Sequence, residues 1–289
     1  MLALAVCILA STIISLIFKG YQVYGVRNLP AIVVNYFVCV ICGSFFQGEF
    51  PLSTAIFSQD WIWLAFILGF IFIGGFNLNA LSVQRAGIAV TSVVQRISLL
   101  VSVLFAVFFF KEPMGMTKGL GILLGIAAVF LTVKFESEKG AQKHNNWILP
   151  IGVFLLAGLI EVLLTVAQRQ FQADGDVTFT VTLFCWAGIL GLAFLLIKPP
   201  TDKSPRFTGK DVLGGIALGI PNFFSIHLIL VALGDGLDAA TVFPVLNVST
   251  IVLSAIAALI IFRERLSPKQ WLGVVVAAFA ILLITGTLG

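Results

Sequence analysis

Phe110–Gly121 reads FKEPMGMTKGLG, and 152 residues further on Phe262–Gly273 reads FRERLSPKQWLG. The two stretches align without a gap, and the same shift pairs Ala80-Leu81 with Ala232-Leu233, Val90 with Val242, Ser102 with Ser254 and Ala106 with Ala258. Self-similarity at one fixed offset is the mark of a duplicated unit. Each quoted stretch is a short charged turn between two apolar runs, so the duplicated unit is a series of apolar segments and not a soluble domain.

The chain outside the repeat says the same. Of its 289 residues 60% are apolar and 10% charged, against about 45–50% and about 25% in soluble domains, and mean hydropathy is +1.10. The 27 Gly suit helices that pack closely in lipid. A hydrocarbon core about 30 Å thick takes roughly 17–25 residues of helix, and ten segments meet that length. They are Leu2–Phe18, Pro30–Gln47, Asp60–Val83, Gly87–Phe110, Met116–Lys134, Trp147–Gln168, Asp176–Ile197, Val212–Leu233, Ala239–Phe262 and Pro268–Thr287. Runs such as Ile97–Phe110 are apolar without the alternation of a barrel strand, which leaves helices as the spanning element. The expected fold is all-α and integral to a membrane: a first five-helix repeat over 1–134, a connecting loop over 135–146 and a second five-helix repeat over 147–289. An odd number of spans per repeat turns the second copy upside down, the inverted topology of secondary transporters, whose substrate site lies near the midplane between the copies.

The doubled turn, ten spans and five-plus-five organisation resemble the EamA-type members of the drug/metabolite transporter superfamily over essentially the whole chain. The resemblance implies transport of a small metabolite such as an amino acid, a sugar derivative or an organic ion. It does not choose among them.

Candidate site residues are the polar ones that the apolar spans carry. Thr91, Gln95, Ser98 and Ser102 recur at i, i+4, i+7 and i+11 along the fourth span, and Asn247, Thr250 and Ser254 stand at the matching register of the ninth. They are either the walls of a hydrated path or hydrogen bonds that hold the bundle together. Arg96 lies nine residues past Gly87, about 14 Å along a helix. An Arg at that depth costs about 3 kcal/mol on insertion scales, so it must face protein or water. It either receives an anionic group of the substrate in its planar fork or pairs with a buried acid. Glu161, with Thr165 and Gln168 at i+4 and i+7, is that acid, and serves as a proton-exchanging group or as a permanent counter-ion. Within the superfamily, small multidrug transporters carry a membrane Glu in their first helix. Glu161 lies in the first helix of the second repeat, whereas Leu2–Phe18 has no acid. Arg96 and Glu161 are expected to face the cavity between the two repeats.

His227 either joins a proton path or is a satisfied hydrogen-bond donor. Asn77, Asn79 and Asn222 need partners in lipid. Pro221 and Pro244 each remove a helix hydrogen bond, giving either a bending point or a static kink. Glu112 and Glu264 are expected to cap and anchor the turns after the fourth and ninth spans. Ser267-Pro268 reads as a helix start, and Gly121-x-x-x-Gly125 and Gly215-x-x-x-Gly219 as close-packing faces, within the bundle or between protomers. Cys39 and Cys42 spell C-x-x-C inside an apolar run and read as packing.

An enzyme is not expected, because neither H-E-x-x-H nor G-x-S-x-G occurs and the two His, His144 and His227, lie far apart in sequence. A non-transporting scaffold or receptor is the alternative, and the short connections argue against it. No cofactor or metal is expected. The expected partners are the lipid bilayer, a small-molecule substrate and a coupled proton. Nucleic acid is not among them, since the 17 Lys and Arg form no block. Oligomeric state stays open. Apart from Arg96, connections after odd-numbered spans hold 13 Lys and Arg and those after even-numbered spans 3. The positive-inside rule then sets odd connections in the cytoplasm and both termini outside a bacterial-type inner membrane. The resemblance implies termini inside, so the charge count departs from it.

Overall fold

The structure, a computed structural model, describes residues 1–48, 54–86, 88–133, 147–173, 177–197, 206–261 and 266–286. Among these residues every regular element is helical: α1 (Leu2–Tyr24), α2 (Asn28–Gln47), a 3-10 turn (Thr54–Ser58), α3 (Ile62–Ala86), α4 (Ile88–Ile97), α5 (Leu99–Phe109), α6 (Met116–Thr132), α7 (Ile148–Phe171), α8 (Val177–Ile197), α9 (Gly209–Gly234), α10 (Ala239–Ile261) and α11 (Pro268–Ile284). Eight are long and apolar enough to cross a membrane, counting α4 and α5 together as Val90–Phe109, while α6 and α11 are apolar but shorter at 17 residues each. Helices end on local chemistry more than on the last apolar residue. Thus α1 runs past Lys19 to Tyr24 and stops where Gly25 turns left-handed at φ 66°, and α2 stops at Gly48 with φ 83°.

The fourth span is interrupted at Ser98 without Pro or Gly. The Ser98 hydroxyl donates to the Gln95 carbonyl at 2.6 Å, and the Val101 amide turns to the Ser98 carbonyl at 2.8 Å. A side chain competing for a backbone acceptor, with an i to i+3 bond beside it, is a recognised cause of a helix break.

The helices gather into two compact units that cut across the sequence halves. One unit holds Met1–Gly74 and Val166–Gly234, the other Gly75–Thr165 and Asp235–Gly289. Long α3 and α7 each begin in one unit and end in the other. Both units therefore combine segments from both sequence halves, because membrane helices choose neighbours by surface fit and not by order along the chain.

Inside the first unit α9 packs on α1 and α2. A Cβ on Gly215 would come within 2.5 Å of Val34 Cβ, and one on Gly219 within 2.5 Å of Val38 Cβ. These glycines thus do bring helices together within one chain. Tyr21 donates to the Gly214 carbonyl at 2.7 Å, and the fully buried Asp211 carboxylate accepts from the Arg27 amide at 2.9 Å, from Arg27 Nε at 3.0 Å and from the Thr208 amide at 2.9 Å. Inside the second unit Gly121 abuts Ile284, Gly125 abuts Val248 and Gly273 abuts Thr132, around a core of Ala128, Val248 and Ala277.

Two helix starts are capped there. Ser267 and Gln270 form a reciprocal capping box with Pro268 in the first turn, and Gln270 Nε2 continues to the Thr132 carbonyl at 3.0 Å. Glu112 acts away from its own turn. Its buried carboxylate accepts the Ala239 and Ala240 amides at 3.0 and 2.9 Å, capping α10 across the unit, while Lys118 pairs with Asp238 at 3.1 Å. Its repeat counterpart, Glu264, lies outside the described residues.

Candidate functional site

The second unit brings Arg96, Ser102, Glu161 and Asn247 into one network. Arg96 comes from the last turn of α4, Ser102 from the first turn of α5, Glu161 from α7 and Asn247 from α10. Both sequence halves contribute.

Glu161 receives one donor on each oxygen: the Ser102 hydroxyl at 2.6 Å on Oε2 and Asn247 Nδ2 at 2.9 Å on Oε1. Its position depends on a glycine one turn earlier. A Cβ on Gly158 would sit 2.5 Å from Val101 Cβ, so only the missing side chain lets α7 approach α5 closely enough for Glu161 to reach the residue after Val101. Arg96 donates from Nη1 to Asn247 Oδ1 at 3.2 Å. The guanidinium and carboxylate therefore meet through an amide. Among the described residues no direct ion pair joins them. Both charged side chains are half-buried, whereas Asn247 and Ser102 are buried.

Both amide hydrogens of Asn247 are used. Besides Glu161, its Nδ2 donates to the Phe243 carbonyl one turn back at 3.1 Å. The amide orientation follows, since the reverse would set NH2 against the guanidinium and oxygen against the carboxylate. Farther along the same face of α10, buried Thr250 and half-buried Ser254 present hydroxyls without a hydrogen-bond partner among the described residues.

The remaining expected residues are dispersed. The stripe on the fourth span does not act as one wall: Thr91 is buried against the Ser82 hydroxyl at 2.8 Å, exposed Gln95 accepts from Asn79 at 3.0 Å, and Ser98 is occupied with its own backbone. Thr165 donates to the Glu161 backbone carbonyl at 2.9 Å and not to its carboxylate. Asn77 is half-buried on α3.

Asn222 and His227 belong to the first unit. Asn222 donates to Asn35 Oδ1 at 3.2 Å, and the Cys39 thiol reaches the same oxygen at 3.7 Å and the Gly219 carbonyl at 3.3 Å. Ser11 and Ser225 share a hydrogen bond at 2.9 Å, and the Cys7 thiol donates to the Ser225 carbonyl at 3.2 Å. These contacts are the interhelical bonds that membrane bundles use as glue. Buried His227 stacks on Phe223 at 5.6 Å and meets Phe46 edge-on at 5.5 Å. Helices α9 and α10 run on through Pro221 and Pro244.

Among the described residues every regular element is helical, eight helices are long and apolar enough to cross a membrane, and the second unit carries a charged network within them. The description "EamA-like transporter family" matches residues 1–134 and again 148–286. The chain belongs to the EamA-like transporter family. This member of the drug/metabolite transporter superfamily is a multi-pass membrane protein, and its family is one of transporters and not of enzymes. It is similar to an uncharacterised protein of Haemophilus influenzae, 29% identical over 285 residues, which span 95% of this chain and 94% of that protein. It also shares its fold with a protein of known crystal structure at a TM-score of 0.77 and 16% identity, over 99% of this chain and 96% of the other.

Proposed function

We propose that this EamA-family protein is a secondary transporter that carries a small polar metabolite with an anionic group across a bacterial inner membrane. It does so by alternating access between two inverted five-helix repeats, ten spans in all. The observation that carries the reading is the Arg96–Asn247–Glu161–Ser102 network. A bundle in need of packing alone would fill these positions with Leu, because burying charge costs more than it returns. The half-buried guanidinium is the group for an anionic substrate, since its fork matches a carboxylate or phosphate. Glu161 is the group for a coupled proton. Thr250 and Ser254 extend the polar face with hydroxyls that call for water or substrate.

The test uses purified protein in liposomes, with uptake of a panel of amino acids, organic acids, sugar phosphates and organic cations followed by mass spectrometry. A bound ligand also raises the melting temperature in detergent by mass action. Accumulation of one class is expected. Arg96→Leu and Glu161→Leu should each lower stability by leaving a buried charge without its network. The double replacement should restore folding but not uptake. A stable double mutant with full uptake would overturn the reading.

A further inference from the structure

Resting on that reading, we infer that Asn247 is a positioning residue: a fixed spacer that keeps Arg96 and Glu161 from closing on one another, so that both stay available to the substrate. The bond inventory carries the inference. A guanidinium has five N–H donors in a fork that fits a carboxylate bidentately. In an apolar bundle the direct fork is the arrangement that satisfies most of them. Instead, among the described residues Arg96 meets one acceptor, Asn247 Oδ1, at 3.2 Å. The facing carboxylate is meanwhile held by two neutral donors, Ser102 and Asn247.

The amide is suited to stand between the two charges because it presents an acceptor to the cation and a donor to the anion. It cannot swing aside, since the same nitrogen is tied at 3.1 Å to the Phe243 carbonyl of its own helix. Aspartate there would repel Glu161, and leucine would satisfy neither charge. The repeat supplies a further contrast. Gln95 holds the matching register in the first half yet is exposed and bonded to Asn79, so the spacer is a feature of the second half alone.

Phenylglyoxal, which modifies guanidinium groups, reads the arrangement without any substrate. Purified protein in detergent is treated with it, and modification of Arg96 is followed by peptide mass spectrometry. In the wild type Arg96 should react. In Asn247→Ala, and in Asn247→Leu, which fills the volume, the fork should close on Glu161 and slow the reaction by about tenfold or more, as for a strong bidentate pair. Adding Glu161→Gln to either variant should restore reactivity, and Asn247→Gln, which keeps an amide, should stay near wild type. Equal reactivity of Arg96 in the wild type and both variants would overturn the spacer. So would loss of the monodisperse gel-filtration peak in both, which would make the amide a requirement of folding. The transport reading fails separately: no compound in the uptake panel would accumulate, while Arg96 reactivity still followed residue 247.

Discussion

Glu112 shows how much a single carboxylate can hold when it is buried at a helix start. Its two oxygens satisfy two amides that nothing else in α10 reaches. Glu112→Ala should leave both exposed to an apolar environment at about 1–3 kcal/mol each. A fall of several degrees in the detergent melting temperature is expected, with Glu112→Gln in between; an unchanged melting curve would contradict the cap. Gly158 acts at the same scale by absence. Gly158→Val should force α7 away from Val101, separate Glu161 from Ser102 and abolish uptake at a larger stability cost than Gly158→Ala. Arg96, Ser102, Glu161 and Asn247 were all legible in the sequence, because a polar side chain in an apolar run must have a reason to be there. Their joining by Asn247 was not, since hydrogen-bond partners 59, 86 and 151 residues apart leave no trace in local spacing. Asn35 was missed for another reason. It is a single amide among the apolar residues in the middle of the second span, and only its contacts with Asn222 and Cys39 give it a place.

At the level of elements, apolar length located the membrane-length helices well, and Ser267-Pro268 marked the start of α11 as expected. Charge marked the ends only loosely, as the extension of α1 past Lys19 to its left-handed Gly25 shows. The break at Ser98 escaped the sequence because it depends on which acceptor a serine hydroxyl takes, and Ser interrupts few of the helices that contain it. Ser98→Ala removes the competitor. It should let the Leu99 amide return to the Gln95 carbonyl, join α4 to α5 and slow hydrogen exchange at Leu99 and Val101. Unchanged exchange there would mean that packing, and not the hydroxyl, breaks the span. Gly219 offers an independent check on helix contact: Gly219→Leu has no room beside Val38, so the variant should lose its monodisperse peak.

For the whole molecule, the charge count makes a prediction about sides. With the four native cysteines replaced, Lys111→Cys should react with a membrane-impermeant maleimide on intact cells, and Arg206→Cys only after permeabilisation. Both are exposed, whereas Lys143 and Lys203, in the same class of basic connection as Arg206, lie outside the described residues. The opposite labelling pattern would set the termini in the cytoplasm, as the family resemblance implies. The capping of α10 by Glu112 has a consequence for synthesis. The acceptor is made 127 residues before the amide of Ala239 that it serves, and the unit holding both is complete only with the last helices. While the ribosome works through that interval, the carboxylate must remain hydrated at the membrane surface, and α5 and α6 must wait in the bilayer for α10 and α11, on which they pack. These partners arrive last, so assembly of this unit follows insertion, and a chain stalled before Ala239 should be open to quality-control proteases.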